Sequence, residues 1–200
     1  MIYSVKGELI HLEPRVAVIE CGGIGFRCQI TMNTARQLPS IGGQAMLYTM
    51  MNVREDAIEL FGFADTAELN CFKQLTAITG VGPKVGLSIL SELSPEKVAL
   101  AAATGDHRAF TKAPGVGPKL AQRIVLEMKD KVQAIGGATG VELPTGAAVS
   151  AAGNAAQAVD ALTVLGFGAG EASAAVGKLD SALPVETLVR EALKALSRRG

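Results

Sequence analysis

The sequence predicts a chain of mixed β and α class built from three successive units: a small barrel, a helical segment and a short helical bundle. Three observations predict it. Apolar residues alternate with a period of two through much of residues 2–61, a strand pattern. From Asp65 the pattern becomes helical, and one Gly-rich turn occurs twice: Thr79-Gly80-Val81-Gly82-Pro83-Lys84 and, 35 residues later, Pro114-Gly115-Val116-Gly117-Pro118-Lys119. A charge-poor Gly/Ala stretch then precedes a last set of helical patterns.

Within the first unit, residues 2–10 alternate and residues 15–21 form a second run. Residues 22–25 read as a turn and 26–30 as a third strand. Residues 33–38 read as one short helix, stopped by Pro39. Residues 45–53 and 57–61 supply the last two strands. Five short strands with a small helix after the third match the layout of an OB-fold barrel, a layout other small barrels share. Arg54-Glu55-Asp56 joins the last two strands. Adjacent carboxylates at a hairpin tip are common in solvated turns. Placed against phosphates they would instead repel a nucleic-acid backbone. At ~4 Å one like-charge pair costs ~1 kcal/mol in bulk water and several times that near a protein surface.

Residues 65–135 read as helical. Asp65 with Glu68 three residues on resembles a capping box, opening a helix through Ala77. A helix over 84–93 follows the first Gly turn. Ser94-Pro95-Glu96 opens another, ended by Gly105, and Asp106 caps a short one reaching Lys112. A long helix over 119–134 follows the second turn, with Leu120, Ile124, Leu126 and Met128 among its apolar positions and Arg123, Lys129 and Lys131 as basic ones. The repeat extends past the glycines: Lys73 aligns with Arg108, Leu75 with Phe110, Ile89 with Ile124 and Glu92 with Glu127.

A Gly-x-Gly turn between two short helices has a physical use. Glycine permits φ > 0 and close approach of the backbone to a ligand. The following helix offers unpaired N–H groups and the positive end of its dipole, which together bind an anion. Pro83 and Pro118 suit the first helical turn, where no N–H is needed. Lys84 and Lys119 add a cation beside the same anion. Arg123 lies one turn beyond Lys119, on the same face. This is the helix-hairpin-helix pattern, and its usual anion is a nucleic-acid phosphate. A pair of ligand-free tight turns is the bland alternative, weakened by the duplication.

Residues 136–153 carry one charge, Glu142, and read as a flexible linker. Residues 154–200 read as three helices. Ala158, Val159, Leu162 and Leu165 mark the first, Gly166-Phe167 ends it, residues 171–179 form the second, and Pro184 starts the third with a stripe from Val185 to Leu196. Such a bundle is small enough to be marginal alone. Its Leu-Gly-Phe turn resembles the loop of ubiquitin-associated domains, so a UBA-like protein-binding module is expected, with a dimerisation bundle as the alternative.

Composition narrows the function further. The formal net charge is zero, unusual for a DNA binder. It is unevenly spread: residues 65–140 carry nine Lys/Arg against seven Asp/Glu, whereas the flanking segments are each net −1. Cys21, Cys28 and Cys71 are odd in number and lack Cys-x-x-Cys spacing, and only His11 and His107 could join them, so no metal is expected. Three reduced, buried thiols suit a cytoplasmic protein. Met1 leads directly into a strand-like alternation, so no signal peptide is expected, and no apolar run reaches the ~20 residues of a membrane span. No Gly-x-x-x-x-Gly-Lys-Ser/Thr occurs, so neither ATP hydrolysis nor any cofactor is expected of this chain. No Ser/His/Asp or Cys/His set can be assembled. A glycosylase would carry a sheltered Asp downstream of the hairpin, and Asp130 lacks that context. Glu55 and Asp56 alone are too few for a two-metal nuclease.

The order of parts carries a resemblance. A barrel closing on Val53-Arg54-Glu55-Asp56-Ala57-Ile58-Glu59-Leu60-Phe61-Gly62-Phe63, then paired hairpins, a Gly/Ala linker and a three-helix tail resemble the bacterial RuvA family over essentially the whole chain. The closing segment and the hairpins with Ile124-Val125-Leu126-Glu127-Met128-Lys129-Asp130-Lys131 are the most specific parts. The resemblance implies a non-catalytic, sequence-independent binder of Holliday junction (four-way) DNA in recombination, repair and the SOS response, with replication fork reversal as a further setting. It implies a homotetramer, alone or stacked face to face with a second one. It implies recruitment of the hexameric ATPase RuvB for branch migration, with the resolvase RuvC as a further partner. Glu55 and Asp56 would form an acidic pin at the tetramer centre. Gly80, Gly82, Lys84, Gly115, Gly117, Lys119 and Arg123 would hold the DNA arms, and residues 154–200 would contact the motor. The implied units are 1–64, 65–135, 136–153 and 154–200. Pro118 departs from the family pattern, standing where a basic residue is common.

Overall fold

The computed structural model describes the backbone of residues 1–136 and 151–197 and the side chains of residues 1–129 and 154–196. Five strands close the first unit: β1 (Ser4–Glu13), β2 (Val16–Cys21), β3 (Ile24–Ile30), β4 (Gln44–Val53) and β5 (Ile58–Phe63). They close in the order β1-β2-β3-β5-β4, with β3 and β5 parallel and every other pair antiparallel. Helix α1 (Met32–Gln37) follows β3, capped by the Thr31 hydroxyl. This is the OB-fold barrel that the strand count and helix position predict. Val5, Leu9, Ala17, Ile19, Cys28, Ile30, Leu47 and Leu60 fill it. The β1 strand runs longer than its alternation suggests, through Glu13, because a register shift between Leu9 and His11 lets it continue along β2.

From Leu60 onward the last strand of the barrel is buried on both faces. Leu60 belongs to the barrel core, whereas Phe61 and Phe63 point the other way into the helical unit. They meet Phe72 of α2 (Thr66–Thr76) with ring centroids 5.4 and 4.8 Å apart. Aromatic rings at this separation add to the area they bury. Barrel and helices therefore share a wall.

A second tie crosses the same boundary and corrects the capping-box expectation. Asp65 does cap α2, accepting from the Glu68 amide at 2.7 Å. The Glu68 side chain does not return the favour. It is 2% exposed and accepts from the Thr31 and Thr34 hydroxyls at 2.6 and 2.5 Å. The Thr34 hydroxyl in turn accepts from the Ala64 amide. Burial pushes the Glu68 carboxyl above the usual range, against the lowering effect of its hydroxyl donors.

The remaining helices are α3 (Pro83–Glu92), α4 (Pro95–Thr104), α5 (His107–Phe110), α6 (Pro118–Gly136), α7 (Ala151–Val164), α8 (Ala169–Val176) and α9 (Val185–Ser197). The expected linker is shortened from both ends, since α6 reaches Gly136 and α7 begins at Ala151; its interior, 137–150, lies outside the described residues, as do the Asp130 and Lys131 side chains. The final three helices do not stand apart. Packed neighbours α4 and α7 join Val98, Ala101 and Ala102 to Ala158, Ala161 and Leu162 in one buried cluster, and Lys97 Nζ lies 3.9 Å from Glu186 Oε1. Alanine-rich faces let the two backbones come close.

The thiols also need correction. Cys28 and Cys71 are buried, but Cys21 is only partly so and donates to the Lys6 carbonyl at 3.1 Å. Burial, with Cys21 nearby, pushes the Cys28 thiol up to about 12, and burial pushes Cys71 higher still. Both therefore stay protonated and unreactive at neutral pH.

Candidate nucleic-acid interface

The two Gly turns fold as copies of one another. Gly80 has φ +94° and Gly115 φ +89°, the left-handed region that favours glycine. In the first turn the Val81 amide donates to the Ile78 carbonyl at 3.0 Å and the Gly86 amide to Gly82 at 2.9 Å. In the second, Val116 donates to Ala113 at 3.1 Å and Ala121 to Gly117 at 2.9 Å. Val81 and Val116 are both buried and anchor the turns from beneath, while the glycines stay exposed.

The second glycine of each pair is there for a different reason. Gly82 is the N-cap of α3 with φ −77° and ψ 169°, a conformation any residue adopts. A Cβ added at Gly82 or Gly117 would meet no atom of the chain within 4 Å. Neither backbone strain nor internal packing explains their missing side chains. The effect is a bare helix N-terminus facing solvent. The first-turn amides beyond Pro83 and Pro118 have no intrahelical acceptor.

Charge separates these two helices from their neighbours. The N-termini of α2 and α5 are capped by Asp65 and Asp106, and α4 carries Glu96 in its first turn. Neither α3 nor α6 has an acidic residue in its first turn, and Gly82 makes no side-chain cap. Lys84 and Lys119 are exposed beside these ends, without an ion-pair partner among the described residues. The positive end of each dipole is therefore uncompensated and supplemented, an arrangement that attracts an anion. Pro118 occupies in α6 the place that Pro83 occupies in α3.

Arg123 sits with the hairpins but not as a free cation. Its Nη1 donates to the Thr79 carbonyl at 3.2 Å, in the first hairpin, and its Nε lies 4.0 Å from Glu127 Oε1. The side chain is 52% exposed, so further N–H donors still face solvent. Leu126, counted among the apolar positions of α6, is exposed; Ala121, Ile124 and Met128 make the buried face. Ser88 is a residue that reading the sequence missed: its Oγ donates to the Pro114 carbonyl at 2.9 Å, in the second hairpin. The 35-residue repeat aligns Ser88 with Arg123 and was the signal that could have found it.

Glu55 and Asp56 lie apart from the hairpins, at the tip joining β4 to β5, closed by the Arg54 amide donating to Ala57 at 2.8 Å. Both side chains are exposed and have no hydrogen-bond or ion-pair partner among the described residues. Val53 and Ile58, paired across the strands just below them, are exposed too. Three steps along β5, roughly 10 Å at strand rise, separate Ile58 below this tip from Phe61 in the wall shared with the helices.

Fold and hairpins together define the class: an OB-fold protein carrying a tandem helix-hairpin-helix unit. Known families agree with it and go further. Residues 1–62 match the RuvA N terminal domain, residues 72–130 the SAM-like helix-hairpin-helix tandem, and residues 153–197 the RuvA C-terminal domain. Three proteins named Holliday junction branch migration complex subunit RuvA are similar along nearly their whole length. That of Symbiobacterium thermophilum is 44% identical over 205 residues, covering 99% of this chain and 100% of that protein. That of Desulforamulus reducens is 43% identical over 200 residues, 98% of each. That of Acetivibrio thermocellus is 37% identical over 201 residues, 99% and 100%. The chain belongs to the RuvA family.

Proposed function

We propose that this chain binds Holliday junction DNA as the non-catalytic subunit of a branch migration complex. Family membership over the full length supports the complex. The observation that carries the binding mode is the pair of uncapped, acid-free helix N-termini behind Gly82 and Gly117. Amides and lysines arranged this way bind phosphates and carry no base readout, so recognition follows DNA shape rather than sequence.

In this reading Gly80, Gly82, Lys84, Gly115, Gly117 and Lys119 hold the arms, with Arg123 contributing its solvent-facing donors. A homotetramer repeats two hairpins four times, which makes the modest +2 charge of residues 65–140 effective. Uncompensated Glu55 and Asp56 act as the acidic pin that keeps phosphates from the crossover. Residues 154–200 recruit the RuvB motor, and RuvC joins as resolvase. No helix among the described residues is long and apolar enough to cross a membrane, which suits a cytoplasmic complex. The working units are 1–64, 65–135, 136–153 and 154–200, although the packing of α7 on α4 argues against a tail that swings freely at all times.

Two results test this. Replacing Lys119 with Ala is expected to weaken binding alike on all sequences and to lower the slope of log K against log salt by ~0.9 per lost phosphate contact per subunit. An unchanged slope in a salt titration removes Lys119 from the interface. The double variant Glu55→Gln, Asp56→Asn is expected to keep or raise affinity for DNA while narrowing the gap between junction and duplex. A large loss of junction binding in the same gel-shift titration would show that these carboxylates do not act by repulsion.

A further inference from the structure

The two hairpins brace each other by an exchange of equivalent contacts. Thr79 and Pro114 stand at matching positions, each just before the first glycine of its turn. The Pro114 carbonyl accepts from Ser88 Oγ at 2.9 Å, and the Thr79 carbonyl accepts from Arg123 Nη1 at 3.2 Å. Ser88 and Arg123 are themselves matching residues, one per copy. The apolar contacts obey the same exchange. A Cβ at Gly80 would lie 3.4 Å from Leu120 Cδ1, and one at Gly115 would lie 3.6 Å from Val85 Cγ2. Val85 and Leu120 match as well. In each case the helix of one copy holds the turn of the other.

We infer that Ser88 is a positioning residue for DNA binding: it acts through the second hairpin, as Arg123 acts through the first, to fix the spacing of the two phosphate-binding turns. This rests on the reading of those turns as the DNA contacts. The chemistry favours a positional role. Ser88 is 5% exposed on the buried side of α3, so it cannot itself reach DNA. Its hydroxyl ends on a carbonyl next to Gly115, the residue whose left-handed φ sets the turn. Two turns held at fixed spacing engage one duplex arm as a single event, the second contact forming at high effective concentration. A turn free to shift loses that advantage without losing any phosphate ligand. Arg123 thereby acquires a structural duty beside any phosphate contact.

The test is a coupling measurement in the full chain, read as the dissociation constant for a synthetic four-way junction. Ser88→Ala is expected to weaken binding roughly fivefold, the scale of one hydrogen bond. With the second hairpin disabled by Gly117→Asp, the same change is expected to have almost no further effect. With the first disabled by Gly82→Asp, the loss is expected to vanish likewise, because no second contact remains to be held at a fixed spacing. Ser88→Cys, which keeps the size and weakens the donor, should fall between. No loss from Ser88→Ala in the otherwise unchanged chain, or an undiminished fivefold loss on either background, would overturn the brace while leaving the hairpins as DNA contacts. Wild-type binding by both Gly82→Asp and Gly117→Asp would overturn the hairpin reading itself, and the brace with it.

Discussion

Aspartate at both Gly82 and Gly117 is expected to abolish junction binding while leaving the fold as stable as before, or more so. The backbone at Gly82 is already that of an N-cap, and at both positions a new side chain meets open space. Asp is among the best N-caps, so its carboxylate would accept from the first-turn amides and stabilise each helix by up to about 1 kcal/mol. In the proposed reading it would also fill the place that a phosphate takes and repel one. Losing a charged hydrogen-bond set costs about 1.5–3 kcal/mol per hairpin, so the double variant should bind roughly 10² to 10⁴ times more weakly. Thermal unfolding and junction titration of the same preparation check both halves. A variant that melts early shows that these glycines serve the fold. A variant that binds normally shows that they serve nothing at the DNA.

The second large effect is expected at Glu68. Leucine there leaves two buried hydroxyls without their acceptor, at the seam between barrel and helices. Each unsatisfied group costs about 1–3 kcal/mol, so Glu68→Leu should lower unfolding stability by about 2–6 kcal/mol, read from the urea midpoint at constant slope. A shift under about 0.5 kcal/mol would mean that the threonines find other partners. The carboxyl also predicts a pH dependence. Its folded pKa is raised by burial, so the folded state binds more protons than the unfolded one between the two values. Its contribution is fully present below the unfolded value near ~4.3 and is lost as pH rises through the raised folded value. Glu68→Gln should remove that decline; a decline of equal size in wild type and Gln variant would assign it to another group.

Glu68 also shows where reading the sequence stops. Asp65 three residues before it satisfied a local motif, and the motif was half right: the cap forms, but the glutamate serves Thr31 and Thr34 instead. Those partners lie more than 30 residues away, and no local pattern names them. The hairpins were legible because Gly and Pro at fixed offsets determine backbone geometry within a few residues. The 35-residue repeat places Ser88 opposite Arg123 and so marks the position, but nothing in a helical serine says which carbonyl it holds. Arg123 was legible as a cation one turn beyond Lys119, whereas its bond to Thr79 was not. Leu126 was legible as apolar but not as exposed, since nothing local says that Ala121, Ile124 and Met128 take the buried face of α6. The docking of α7 on α4 was hidden for a related reason: alanine-rich faces announce close packing but not a partner. Glu55 and Asp56 could be read as exposed from the turn alone, whereas their lack of an ion-pair partner among the described residues needed the fold.

The central claim is that a bare pair of helix N-termini, repeated around a repulsive centre, selects branched DNA by shape. It is tested most directly by titrating the wild-type chain against a synthetic four-way junction and a linear duplex of matched sequence, at moderate salt with Mg²⁺ and no motor present. The account predicts junction binding at least about tenfold tighter, a difference of ~1.4 kcal/mol or more, with discrete shifted species and no strand cleavage. Equal affinity for junction and duplex would contradict it.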